Sequence, residues 1–189
     1  DVVWAMQAPQ LVRSLPDDVQ VEVGTTNGEV LLSMNNNAAP FDDPDVRRAV
    51  AYAIDRRAIN QVVYDGLATD TGGAPVPPTD PWFTGKNYYP FDPDEARRLL
   101  AGRTPELTIT VPSLAYAQTA AELVFSQLRD VGFKVRLETV EFPAVWLNKV
   151  LKQADYQASI VAHVEPRDMG NLFGNPNYYL GYDSARARE

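Results

Sequence analysis

Between residues 44 and 66 the apolar side chains return at the spacing of a helix. Val46, Ala49, Val50, Ala53 and Ile54 fall at i, i+3, i+4, i+7 and i+8, which makes one apolar stripe, while Arg47, Arg48, Tyr52 and Asp55 lie off it. Asp43 stands where an N-cap is needed. Pro44 takes the first helical position, where its missing N–H costs nothing. The stripe restarts after Asp55 with Ile59, Val62 and Val63, and Gly66 is the expected stop. Two consecutive packed helices are predicted.

Elsewhere the period changes from helix to strand and back. Residues 1–15 read as a short strand followed by a helix that Pro16 and two aspartates end. Val19, Val21 and Val23 alternate as a strand, and residues 30–34 form another, with Thr26-Asn27-Gly28 as the turn. Residues 67–90 are rich in Pro and Gly and carry no period, and a loop of that length in a compact domain usually has a function or lies across the surface. Asp92-Pro93-Asp94-Glu95 then opens a helix with an N-cap, an N1 proline and an acidic N3 partner, and Ala96, Leu99 and Leu100 are its buried face.

The second half reads as strand 107–111, helix 114–131 stopped by Gly132, and strand 133–139. That is a β-α-β unit, with parallel strands and a right-handed crossover. A helix over roughly 143–153 and an apolar strand over 156–162 add a second crossover. The class is therefore α/β, with a mixed, mostly parallel sheet and helices on both faces.

Composition narrows the function. With 189 residues, 45% of them apolar, the chain can bury the core of one large domain, and no apolar run approaches the roughly 20 residues that span a bilayer. A net charge of −8 argues against a nucleic-acid partner. Zero cysteines exclude disulfides, thiol catalysis and thiolate-bound metals. There is no G-x-S-x-G elbow, no Walker loop, no Rossmann glycine fingerprint and no histidine pair, so no enzyme, cofactor or metal is expected. Arginine outnumbers lysine 13 to 4, which hints at a GC-rich, actinobacterial source.

The stretch around the first two helices carries a more particular pattern. It resembles the signature of the bacterial extracellular solute-binding proteins of family 5, close to N-x-x-x-P-F-D-D-x-x-V-R-x-A-x-x-Y-A-I-D-R. Asn36, Pro40, Phe41, Asp42, Asp43, Val46, Arg47 or Arg48, Ala49, Tyr52, Ala53, Ile54, Asp55 and Arg56 match it. The family's D-P-x-x-A-x-x-L-L helix recurs as Asp92, Pro93, Ala96, Leu99 and Leu100. The resemblance implies one lobe of a two-lobed, type II periplasmic-binding-protein-like fold, with residues 1–189 as the contiguous smaller lobe of a longer, truncated protein. It further implies a monomer that binds a peptide-like or small polar solute and delivers it to the membrane permease of an ABC importer. Such a protein works in the periplasm or on the extracellular face of the cytoplasmic membrane, where relatives are often lipid-anchored. A related lobe serving as a scaffold or regulator of envelope assembly is the alternative.

Four residues are candidates for contact with the solute. His163 follows the apolar strand, at the carboxyl end where open α/β sheets bind ligands, although a strand-end histidine satisfied by its neighbours is equally open. Peptide-binding relatives carry a segment like G-W-x-A-D-Y-x-x-P here, whose aspartate pairs with the ligand's ammonium. In this chain Ala162-His163 replace Gly-Trp and no aspartate follows at that spacing, so the chain departs from the pattern; a one-residue deletion would put Glu165 in the carboxylate's place, and we infer that substitution. Asp168 either pairs with adjacent Arg167 or faces the solute. Trp146, like Trp4, sits in a periodic segment as a core or cleft-wall residue. The aromatic residues Trp82, Phe83, Tyr88, Tyr89, Tyr178, Tyr179 and Tyr182 either stack on a ligand or pin long loops.

Overall fold

The computed structural model describes residues 9–24, 28–163 and 169–189. The helices begin and end where local chemistry directs. Helix α1 (Pro44–Ala53) is capped by Asp43, whose side chain accepts from the N–H of Asp45, and it buries Val46, Ala49, Val50 and Ala53. Helix α2 (Arg56–Tyr64) is capped by Asp55, which accepts from Arg57 and Ala58. Its left-handed exit falls on Asp65, one residue before the expected Gly66. Val62 points to solvent, so the stripe continues through Val63, which is buried, and Ile59, which is partly buried against the core. Helix α3 (Pro93–Leu100) has Asp92 accepting from Glu95 N–H at 3.0 Å.

Strands β1 (Glu29–Met34), β2 (Glu106–Pro112), β3 (Lys134–Val140) and β4 (Ala158–His163) form one sheet in the order β1-β4-β2-β3. Helix α4 (Ala115–Asp130) makes the predicted crossover between parallel β2 and β3. The short helix α5 (Ala144–Trp146) continues as π-type turns over Leu147–Lys152 and carries the chain to β4, which is parallel to β2. β1 runs antiparallel to β4, so the sheet is mixed.

Alternation along the strands divides the core in two. One face carries Leu107, Ile109, Val111, Ala158 and Ile160 beneath α1, α3 and α4, with Phe41 plugged into the same cluster. The other carries Leu31, Val140 and Val161 beneath Trp146, Val150, Leu172 of α6 (Met169–Gly174) and Tyr179. Helices thus cover both faces, as expected.

The asparagine elbow after β1 satisfies backbone groups that would otherwise be orphaned. Asn35 donates its amide to the carbonyls of Ala154 and Tyr156, each at 3.0 Å, and Asn36 donates to Leu180 O at 2.9 Å. These bonds tie the segment before β4 and the one after α6 to the end of β1.

Two expectations change. Val19, Val21 and Val23 form no regular element and pair with no strand among the described residues, and all three are exposed, by 41% to 64%. Alternation becomes a strand only where an edge accepts its backbone groups. The expected N-terminal helix is a single 3₁₀ stretch, Pro9–Ser14, in the described part. The strand expected before it and Trp4 lie outside the described residues, as does most of the turn before β1.

Residues 67–90 form no regular element. They are held by Arg56, which donates to Asp70 at 2.8 Å, Asn87 at 3.0 Å and Tyr89 O at 3.2 Å, while Tyr89 meets Tyr52 edge-on at 5.3 Å. The signature's Tyr52 and Arg56 therefore act as a clamp on this loop. Arg56→Ala is expected to change global stability by only about 1 kcal/mol, since the contacts are partly solvated. It should speed proteolytic cleavage within 67–90 several-fold, and an unchanged cleavage rate would remove the clamp role.

Candidate functional site

Parallel β2, β3 and β4 end together at Pro112, Val140 and His163, and antiparallel β1 begins at that end. Glu29 is the direct register partner of His163, so their side chains emerge on the same face of the sheet.

His163 is half-buried and firmly positioned. Its Nε2 lies 2.6 Å from the Tyr179 hydroxyl, and the two rings stack at 5.7 Å with an interplanar angle of 17°. Tyr179 is only 2% exposed. Its hydroxyl also meets Ser33 Oγ at 2.8 Å, and its carbonyl accepts from the Tyr156 hydroxyl at 3.1 Å. Tyr116, from the first turn of α4, accepts the Ala162 N–H at 2.9 Å. The end of β4 is thus held from α4 on one side and from the 175–182 segment on the other. Between the two roles open to it, Tyr179 takes the one that pins a loop. Trp82 and Tyr88 remain exposed.

Trp146 is 3% exposed and belongs to the second core. Its indole N–H donates to Ser159 Oγ at 3.0 Å, and Ser159 in turn donates to Thr110 O at 2.7 Å. Of the core and cleft-wall roles, this chain gives it the core. Glu165 and Asp168 lie outside the described residues.

Sequence reasoning passed over Glu29. Its Oε1 is buried and accepts no hydrogen bond from the described residues. Burial, with the Asp80 carboxylate nearby, pushes its carboxyl up to about 7. Nothing local marks a strand-opening glutamate as unusual. Its environment comes from the pairing of β1 with β4 and from the course of the 67–90 loop.

At the opposite end of the sheet, where the chain enters β2, an open depression of about 320 Å³ lies between Pro40, Asp43, Val46, Arg103 and Pro105. An Asp43–Arg103 ion pair borders it, and hydrogen bonds from Arg103 and the N–H of Asp45 hold the Asp43 carboxyl below the usual range. Among the described residues no group of His, Asp or Glu could hold a metal ion, and no helix is long and apolar enough to cross a membrane.

Comparison with known proteins adds to this geometry. The chain is 33% identical over 144 residues to a Pseudomonas aeruginosa protein named Probable di/tripeptide-binding protein 5, covering 71% of this chain and 27% of that protein. It is 36% identical over 115 residues to the glutathione-binding protein GsiB of Escherichia coli K12, covering 58% of this chain and 22% of GsiB. It therefore spans about a quarter of the length of these curated relatives. Its fold matches an oligopeptide-binding protein (OppAIV) from Borrelia burgdorferi with a TM-score of 0.79 at 22% identity, over 94% of this chain and 38% of that one. Residues 1–182 match the family described as bacterial extracellular solute-binding proteins, family 5 Middle, and the chain belongs to that family.

Proposed function

We propose that this chain forms one wall of a solute cleft in the binding component of an ABC importer. The solute is peptide-like or a small polar molecule, and the loaded protein hands it to a membrane permease. The observation that carries this reading is the family match over residues 1–182. Relatives named for di/tripeptide and glutathione binding support the solute class. On this reading residues 1–189 are the contiguous smaller lobe, a second lobe supplies the other wall, and closure about a hinge buries the solute. The wall is the strand-end surface around His163, and Glu165 and Asp168, in the segment that follows, face the solute. The protein acts as a monomer outside the cytoplasmic membrane, in the periplasm or held to the outer face by a lipid.

The test is calorimetry of the full-length protein against a panel of di- and tripeptides. The two-lobed protein should bind at least one member. The 189-residue chain alone should bind it at least a hundredfold more weakly, because one wall forfeits both contacts and desolvation. Equal affinity of fragment and whole protein, or no binding across the panel, would overturn the reading.

A further inference from the structure

We propose that Glu29 is the residue of this wall that receives a cationic group of the solute, an ammonium or a guanidinium. The inference rests on the solute-binding reading above and assigns the acidic contact to a strand that neither the family signature nor the segment after β4 points to.

An ionised carboxylate oxygen shut away from water with no donor is costly, because its hydration is lost and nothing replaces it. Glu29 Oε1 is in that position. Among the described residues, no group around it supplies a counter-charge. Asp80, from the long loop, adds a second negative charge. His163, its register partner, directs Nε2 to the Tyr179 hydroxyl, and that hydroxyl also meets Ser33. None of these donates to Glu29 Oε1. Among the described residues, the result is an acidic spot without a counter-ion at the carboxyl end of the parallel strands, where a ligand of an open α/β sheet lies.

The described residues bring no set of three His, Asp or Glu side chains together as metal ligands. An organic cation needs fewer ligands, and an N–H donor would satisfy the orphaned oxygen and offset both carboxylates at once. The clamp on residues 67–90 then has a use, because it helps fix the loop that carries Asp80. With its carboxyl raised to about 7, Glu29 is half protonated at neutral pH, so capture of a cation should expel that proton.

The experiment uses the full-length protein, wild type and Glu29→Gln, with trialanine, Ala-Lys-Ala and N-acetyl-trialanine as probes. Titration calorimetry at pH 7, in buffers of different ionisation enthalpy, gives both affinity and protons released. For whichever probe places its cation at Glu29, the variant should bind tenfold or more weakly. The wild type should release about half a proton more than the variant. N-acetyl-trialanine, which has no cation, should not distinguish the two proteins. Equal affinities and equal proton release for all three probes would overturn the assignment and leave the transport reading standing. If the wild type binds none of them, the peptide reading falls and takes this inference with it. Should Glu29→Gln fail to fold, proton release by the wild type alone decides, and its absence on binding a cationic peptide rejects the proposal.

Discussion

Trp146→Ala will destabilise the chain by about 3–5 kcal/mol, as expected when a large buried aromatic is truncated. The indole is almost fully enclosed, packs against Phe142 at 6.0 Å between ring centroids, and shares a cluster with Val150, Tyr156 and Val161. Removing it opens a cavity beneath β4 and leaves Ser159 Oγ, itself completely buried, without its donor. The bond from Ser159 to Thr110 O survives, so the hydroxyl is not wholly orphaned. Trp146→Phe separates the two effects. It retains most of the volume and loses the N–H bond to Ser159, a loss that should cost about 1 kcal/mol on its own. For a domain of this size the alanine variant should melt on the order of 10 °C lower, as measured by calorimetry or urea titration. A normal melting temperature combined with lost solute binding would return Trp146 to the cleft wall.

That contrast shows where sequence reasoning stops. Trp146 sits in a periodic segment that is compatible with either role, and only the register of β4 against β2, which sets Ser159 beneath the indole, separates them. Helix starts were legible because their determinants lie within four residues: Asp43, Asp55 and Asp92 cap by accepting N–H groups two or three positions on. The β2-α4-β3 unit was legible because alternating strands flank one long helix and the crossover has a fixed hand.

Non-local choices were not legible. Val19, Val21 and Val23 have the local pattern of a strand but no described edge to pair with. Conversely, β1 finds an antiparallel place beside β4, and no periodicity could announce that neighbour. The site follows the same division. The sequence placed His163 at a strand end, and β4 does end there, whereas its anchor Tyr179 comes from sixteen residues further on. Glu29, more than a hundred residues earlier in the chain, reaches the same place through strand pairing alone.

Glu29 also gives the fold a pH dependence with a definite sign. Its folded-state carboxyl is raised from 4.5 to about 7, first by burial and then by Asp80, so the folded chain holds that proton more tightly than the unfolded chain does. The stabilisation from this group is complete below about pH 4.5 and is lost as pH rises through about 7. A shift of that size corresponds to ~3 kcal/mol at full strength, and part of the side chain still meets water, so about 1–2 kcal/mol is expected. Urea titrations from pH 4.5 to 8 should show the wild type losing this amount relative to Glu29→Gln. Asp80→Asn should narrow the loss without abolishing it, because desolvation is the larger cause. Parallel stability curves for wild type and Glu29→Gln would mean that the carboxylate is solvated after all. A cationic solute acts on the same equilibrium from the other side. It binds the deprotonated form, so the thermal shift it produces in the full-length protein should be larger at pH 8 than at pH 6, and Glu29→Gln should erase the difference.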